Sequence, residues 1–157
     1  MGLDLVCGDH RLRAGSYSGV MQQWTALLRV YIIFLRESTP TNVTNDMDVA
    51  LQRVENRRLA TQLEQCLDSY CSSYDEDKLR RVSGRLYAGM RHLLLGTYST
   101  GSWDPYQARE ILWALGTLKP FFSRISELSH NVNERNEYFL EPVLRTSVRH
   151  GEPVLFV

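Results

Sequence analysis

The sequence predicts an α+β domain that is mainly α, with about five helices around a central amphipathic helix and a short two-stranded ribbon joining the N- and C-termini. Apolar residues recur at three- and four-residue steps through most of the chain, which is the spacing of a helix. Alternating or β-branched stretches stand at the two ends, Leu3-Asp-Leu-Val-Cys7 and Pro153-Val-Leu-Phe-Val157. A length of 157 residues with 43% hydrophobic residues is typical of a single domain, residues 1–157.

The two strands are predicted at the ends of the chain. The first ends at Gly8, and the last follows the turn signal at Gly151. Because a lone two-stranded ribbon is marginally stable in water, we expect it to pack against helices. Residues 11–19 are predicted to form the turn between the first strand and the first helix, with Ser16 or Ser18 as the helix N-cap.

The first helix is predicted to be apolar almost all round, since residues 30–35 widen its core face. Such a helix is usually central to a core or in contact with another chain. The same run would suit a buried strand equally well, because periodicity alone does not separate the two for a short apolar stretch. The face expected in the core carries Val20, Trp24, Leu27, Tyr31 and Phe34.

Two further helices are predicted after polar connectors. The second helix begins after a connector whose end offers Asn45 or Asp46 as a cap. The third begins near the acidic residues 75–77, because a helix N-terminus favours negative charge. Gly84 and Gly89 are poor helix formers, so we expect a close helix–helix or backbone contact there. The buried sides are expected to carry Leu51, Val54, Leu59, Leu63, Cys66 and Tyr70, then Leu79, Val82, Leu86, Met90 and Leu93.

The central helix is predicted from Pro105 onward, after a loop over residues 96–101. Asp104 can accept a hydrogen bond from the first turn, and Pro at the first helical position gives up a donor that had no partner. Pro120 is expected to kink or break this helix, because it lacks a backbone donor. A polar linker then precedes a last helix over about residues 136–149. The core faces are expected to carry Ala108, Ile111, Leu115, Leu118, Phe122 and Ile125, then Tyr138, Phe139, Val143, Leu144 and Val148.

Charge and composition argue against several functional classes. Lys plus Arg equal Asp plus Glu at 18 each, so no net field draws the chain to nucleic acid or to a membrane. We find no secretory signal and no apolar run of bilayer length. Cys7, Cys66 and Cys71 lack Cys-x-x-Cys spacing, which indicates free thiols in a reducing compartment and hence a cytoplasmic protein. The four histidines are not spaced as metal ligands, so we expect neither metal nor cofactor, and His92 is interpreted as partly buried and structural.

One segment, Gly15-Ser-Tyr-Ser-Gly19, has the composition of an anion-binding turn. A Ser- and Gly-rich turn that opens a helix directs free N–H groups outward, and nearby arginines add positive charge. The alternative is an ordinary strand-to-helix turn with a serine cap, which requires no ligand. The segment matches neither the nucleophile elbow nor the Walker loop. The candidate ligand-binding residues are Arg11, Arg13, Gly15, Ser16, Ser18, Gly19 and, on an opposite wall, Tyr98, Trp103 and Asp104, although Trp103 also fits a core position.

The chain resembles a family of small uncharacterised proteins of bacteria and phages. The resemblance is carried by Met1-Gly-Leu-Asp4, by Gly15-Ser-Tyr-Ser18, by the loop glycine Gly101 leading through Pro105 into an amphipathic helix, and by the closing strand. Members of that family often have His-Ser-Asp before the loop glycine, where this chain has Gly96-Thr-Tyr98. The resemblance implies an α+β shape and gives no indication of an activity.

Three functions follow as hypotheses. The first is a non-catalytic interaction protein that binds a protein partner or itself as a homodimer through the wide apolar face of the first helix. The second is a small-molecule binding protein or enzyme that holds an anion at the Gly15–Gly19 turn. The third is an immunity protein that neutralises a toxin. We favour the first, because no catalytic constellation is found in the sequence.

Overall fold

Six α-helices, one 3₁₀ helix and a four-stranded sheet make up the part of the chain that the structure, a computed structural model, describes. This part comprises the backbone of residues 2–37, 46–66, 77, 80, 83–99 and 101–157, with the side chains of these residues except 17, 46–50, 52, 53, 66 and 95–99. The strands are β1 (Gly2–Cys7), β2 (His10–Ser16), β3 (Ser102–Trp103) and β4 (Val154–Phe156). The helices are α1 (Tyr17–Glu37), α2 (Asp46–Cys66), α3 (Arg85–Ser99), α4 (Pro105–Leu118), the 3₁₀ helix (Lys119–Arg124), α5 (Ser126–Ser129) and α6 (Glu141–His150). The α+β, mainly α class is confirmed.

The sheet joins the two ends of the sequence, as predicted, but it is larger than a ribbon. The strand order is β2-β1-β4-β3, all antiparallel, and Leu5 of β1 pairs with Phe156 of β4. The expected turn over residues 11–19 is wrong for residues 11–16, which form β2. The two-residue turn at Gly8, where φ is +57°, returns the chain along β1. The alternation of polar and apolar residues in β2 then places Leu12 and Ala14 against the core.

The expected loop over residues 96–101 is also partly wrong. Helix α3 continues to Ser99, and the chain reverses at Gly101, whose φ of +68° favours glycine. Ser102 and Trp103 then pair with β4. The buried indole of Trp103 packs edge-to-face on Phe156, with ring centroids 4.7 Å apart. This contact joins β3 to β4 just before the start of α4.

Helix α1 is a helix throughout residues 30–35, and the alternative of a buried strand is excluded. It packs on α2, β1, β2, α4, α5 and the 3₁₀ helix. Leu27, Val30 and Leu35 are completely buried. The wide apolar face is therefore covered within the chain, because neighbours lie on several sides of the helix. Self-association through this face, expected from the sequence, loses its structural basis.

The buried stripe of α2 differs from the predicted one. Leu59 and Leu63 are buried as expected, together with Asn56 and Ala60. Leu51 and Val54 are 62% and 55% exposed, so their assignment to the core is wrong. The stripe that contacts α1 follows Asn56, Leu59, Ala60 and Leu63 at helical steps. Leu51 and Val54 project from the opposite side of the helix.

Helices α3 and α4 approach closely at Gly89, as the sequence predicts. A Cβ at this position would lie 2.5 Å from the carbonyl oxygen of Glu110 and 2.7 Å from Cβ of Ala114. Only a residue without a side chain permits this distance between the helices. Gly84 has a different role, because its φ of +49° places it in the turn that begins α3.

Helix α4 begins as predicted. The carboxylate of Asp104 accepts a hydrogen bond from the N–H of Gln107 at 2.7 Å, and the Gln107 side chain accepts one from the N–H of Asp104 at 3.0 Å. This capping box satisfies two backbone donors at once. The break at Pro120 is confirmed, since the α-helix ends at Leu118 and a 3₁₀ helix follows. The core face carries Ala108, Ile111, Ala114, Leu115 and Leu118 and packs on α1, α3 and α6.

The last helix begins later than predicted. Asn136 has φ +59° and Pro142 lies in the first turn of α6, so the helix starts at Glu141. Lys119 fastens the connection before α6 to the end of α4. Its Nζ donates to the Asn136 carbonyl oxygen at 2.9 Å and contacts the buried Glu141 carboxylate at 2.7 Å. Glu141 also accepts a hydrogen bond from the N–H of Tyr138 at 2.7 Å.

Several expectations lie outside the described residues. They concern the connector at residues 38–45, the break at residues 70–74, the core positions Leu79 and Val82, and the side chains of Cys66, Tyr70 and Tyr98. In the described part of the chain, no helix has the length and apolar character needed to cross a membrane.

Candidate functional site

The exposed side of α4 carries large aromatic residues. Tyr106 and Trp113, one heptad apart, are 65% and 39% exposed, and the exposed Arg109 lies between them. Residues seven apart on a helix share one face. We call Tyr106, Arg109 and Trp113 the α4 outer face. It lies opposite the buried stripe of Ile111 and Leu115 on the same helix.

The indole of Trp113 is held in place by Arg85 of α3. The guanidinium carbon of Arg85 lies 4.7 Å from the ring centroid, within the range of a cation–π contact. Arg85 itself is fixed by Glu110, because its Nε and Nη2 donate to the two carboxylate oxygens at 3.0 and 3.2 Å. Glu110 is only 7% exposed. The paired, two-point contact therefore orients both Arg85 and the ring that it covers.

His92 lies on the same side of the α3–α4 pair. Partial burial lowers the pKa of His92, the positive charge of Arg91 lowers it further, and the negative charges of Asp104 and Glu110 act in the opposite direction. The backbone carbonyl of His92 accepts a hydrogen bond from Nε1 of Trp103 at 3.0 Å. The interpretation of His92 as a partly buried, structural residue is consistent with this position.

The α4 outer face carries one positive charge, that of Arg109. Arg109 makes no ion pair or hydrogen bond through its side chain with any residue that the structure describes. Arg85 and Glu110 neutralise each other. The two exposed aromatic rings are therefore accompanied by one guanidinium group, that of Arg109, which has no ion pair among the described residues.

A cavity of about 550 Å³ lies next to the end of α4. Gly116, one turn after Trp113, forms part of its wall, with Lys119, Phe122, Ser123, Ser129 and Asn136. The positive charge of Lys119 is matched by Glu141, so the wall carries no unpaired charge among these residues. A neutral group would therefore meet no uncompensated charge among these wall residues.

The structure separates the two halves of the anion site that the sequence suggests. Arg11 and Arg13 lie in β2 at one edge of the sheet, and Trp103 lies in β3 at the other edge, with β1 and β4 between them. Trp103 is completely buried, and Asp104 caps α4. These residues do not face each other across a common cavity.

The Gly15–Gly19 segment has local partners. Oγ of Ser16 accepts a hydrogen bond from the N–H of Gly19 at 3.1 Å and lies 3.2 Å from Oγ of Ser18. Arg11 donates to the carboxylate of Asp4 at 2.8 and 2.5 Å. The serine therefore occupies the capping position, as the alternative interpretation of the segment expects. Anion binding there stays a prediction.

Cys7 is a free and buried thiol near the C-terminal end of α6. Burial raises the pKa of Cys7, the charge of Glu152 raises it further, and a hydrogen bond with Ser147 lowers it. Ser147 in turn donates to the carbonyl oxygen of Glu152 at 2.5 Å. This environment keeps the sulfur protonated, which disfavours it as a nucleophile.

Among the residues that the structure describes, no group of three or more His, Cys, Asp and Glu side chains is arranged to hold a metal ion. No family model, no curated protein and no solved structure matches the chain. The resemblance to small bacterial and phage proteins stays a prediction.

Sequence reasoning missed Tyr106, Arg109 and Trp113. The signal that could have found them is the aromatic pair at i and i+7, which falls opposite the buried stripe of α4. Strand β2 was also missed. Its signal is the alternation of Arg11, Leu12, Arg13 and Ala14 after a two-residue turn containing Gly8.

Proposed function

We propose that this protein is a non-catalytic interaction module that binds a different protein through the α4 outer face. The observation that supports the proposal is the exposed Trp113 ring, oriented by Arg85 and the buried Glu110. The free thiol of Cys7 is compatible with a reducing, cytosolic setting for such a partner.

The composition of the α4 outer face is that of an interface centre. Trp, Tyr and Arg are the residues most enriched among those that contribute most to protein–protein binding. A ring already fixed in one orientation loses little conformational freedom on binding, which favours affinity. The cavity beside Gly116 extends this surface by one helical turn and can receive a neutral side chain of the partner.

The charges on this face favour a partner with carboxylates around an apolar site. Arg109 lies between the two aromatic residues and is unpaired among the described residues. If two copies of α4 packed antiparallel, each Trp113 would meet Tyr106 of the other chain, and the two Arg109 side chains would meet at the centre. Like charges in contact disfavour that arrangement. A different, acidic partner fits the face better than a second copy.

The test is capture of cellular proteins on the immobilised chain, compared among variants. We expect a protein that the wild type recovers to be lost with Trp113→Ala and with Arg109→Glu. Leu155→Ala is the matched control for the aromatic change, because Leu155 is 46% exposed on the sheet. Arg135→Glu is the matched control for charge reversal at an exposed position.

Recovery of the same protein by both controls but by neither α4 variant would support the proposal. Equal recovery by Trp113→Ala and the wild type, or no specific capture by the wild type, would contradict it. Circular dichroism must show that both α4 variants remain folded, which the exposure of the two side chains leads us to expect.

A further inference from the structure

The free edge of β2 is a second surface with unused hydrogen-bonding groups. β2 is the outermost strand in the order β2-β1-β4-β3 and is seven residues long. Its neighbour β1 covers one edge. No other strand pairs with the opposite edge in the part of the chain that the structure describes.

The backbone groups that face this edge can be assigned from the pairing of Asp4. Asp4 exchanges both backbone hydrogen bonds with Val157, at 3.0 and 2.9 Å, so its N–H and C=O point toward β4 and away from β2. Arg13, which lies opposite Asp4, therefore forms a non-hydrogen-bonded pair with it. The N–H and C=O of Arg13 must point away from β1, and those of Arg11, two residues away in continuous register, do the same.

The side chains on the two faces of β2 differ in polarity. Arg11 and Arg13 project from the outer face of the sheet and are exposed, whereas Leu12 and Ala14 are half-buried against the core. Arg11 forms an ion pair with Asp4. The side chain of Arg13 contacts no carboxylate among the described residues. An added strand would thus meet positive charge on one face and apolar surface on the other.

We propose that β2 binds an extended peptide segment of another protein with carboxylates at alternating positions and apolar residues between them. The backbone of the segment would pair with Arg11 and Arg13, as in strand addition to an exposed sheet edge. Its carboxylates would lie beside the two guanidinium groups, and its apolar residues would cover Leu12 and Ala14.

A second copy of this chain does not fit the edge. If two β2 strands paired antiparallel, the arginines of one would lie opposite those of the other, and like charges directly opposite are destabilising. Arginines on an edge strand can also serve simply to prevent pairing. If the arginines only prevent pairing, the edge should bind neither acidic nor basic strands. A binding experiment therefore distinguishes protection of the edge from strand addition.

The probes are two synthetic peptides of alternating Glu and Val, or Lys and Val, residues with blocked ends. We expect the Glu peptide to bind the full chain about tenfold more tightly than the Lys peptide. At saturation it should slow amide hydrogen exchange at Arg11 and Arg13, measured by NMR, because these N–H groups become hydrogen-bonded. A Glu peptide methylated on its backbone nitrogens should not bind.

Arg13→Gln removes the charge while keeping the strand, and we expect it to reduce the preference for the Glu peptide. Arg13→Glu should favour the Lys peptide. This variant places a carboxylate opposite Asp4, so if it does not fold, Arg13→Gln alone tests the proposal. Arg135→Glu is the charge control and should leave both affinities unchanged.

Failure of the Glu peptide to bind, equal affinities for the two peptides, or unchanged exchange at Arg11 and Arg13 would overturn the proposal. The result is independent of the α4 outer face, because β2 lies at the sheet edge opposite β3, after which α4 begins. Trp113→Ala should therefore bind the Glu peptide as the wild type does.

Discussion

Single residues determine how closely α3 and α4 pack. Gly89 has no room for a methyl group, since a Cβ would lie 2.5 Å from the carbonyl oxygen of Glu110. Gly116, on α4, has no atom within 4 Å of the same added group. Two helical glycines in one hairpin thus have opposite surroundings.

We expect Gly89→Ala to destabilise the fold by about 2 kcal/mol, because backbone atoms must move to admit the methyl group. Gly116→Ala should stabilise it by up to about 1 kcal/mol, because alanine is the better helix former and space is free. Urea unfolding followed by circular dichroism measures both. A cost for Gly89→Ala no greater than that for Gly116→Ala would show that the α3–α4 distance is not set at Gly89.

His92 should make the fold sensitive to mild acid. Burial and Arg91 lower its pKa in the folded chain. The unfolded chain therefore binds the proton more readily, at a pKa of about 6.5. This contribution to stability is complete above that pKa and is lost as the pH falls below it.

Between about pH 7.5 and about pH 5 the wild type should lose more stability than His92→Gln, which has no ionisable group at this position. The melting temperature at each pH gives the comparison. Parallel curves for the two proteins would contradict the assigned pKa direction.

At the scale of elements, a buried ion pair fastens the connection before α6. The side chains of Lys119 and Glu141 are 18% and 6% exposed, and Lys119 also holds the Asn136 carbonyl. By contrast, the Arg36–Glu64 pair between α1 and α2 is 42% and 44% exposed. Solvent screens such an exposed pair strongly.

Lys119→Met should therefore cost about 3 kcal/mol of stability, because it leaves the Glu141 carboxylate buried without its cation. Arg36→Met, the matched control, should cost less than about 1 kcal/mol. Chemical unfolding at neutral pH measures both. A cost for Lys119→Met no greater than that for Arg36→Met would rule out the structural role assigned to this pair.

The elements that sequence could predict are those whose signal is local. The Asp104 cap, the break at Pro120 and the buried stripe of α4 follow from neighbouring residues alone. Strand β3, with two residues, becomes a strand through its pairing with β4, which follows about fifty residues later. The exposure of Leu51 depends in the same way on where α1 lies, which no local pattern contains.

The candidate site was harder to predict than the fold. The composition of the Gly15–Gly19 segment predicts an anion-binding turn, yet Ser16 serves as a helix N-cap there. Trp113 carries no motif, and its interest lies in the contacts with Arg85 and, through it, Glu110 of the same helix. Such a contact joins two helices and becomes visible only once they are placed.

At the scale of the whole molecule, the two proposed surfaces reject a second copy for the same electrostatic reason. In a twofold dimer, Arg109 of one chain would lie opposite Arg109 of the other. In the same way, Arg11 and Arg13 of one β2 would lie opposite the arginines of the other β2. We therefore expect light scattering to give the mass of a single chain at low salt, where like charges repel most strongly. A stable dimer formed through the α4 outer face or through the free edge of β2 would contradict the assignment of that surface to another partner.

In this proposal, helix α4 packs in the core through one face and binds a partner protein through the opposite face. Hydroxyl-radical footprinting of the wild-type chain, alone and bound to the protein it captures, measures side-chain exposure at each aromatic residue. The proposed binding face predicts that Tyr106 and Trp113 become protected in the complex while Leu155 keeps its reactivity. Unchanged reactivity of Tyr106 and Trp113 in the complex would contradict it.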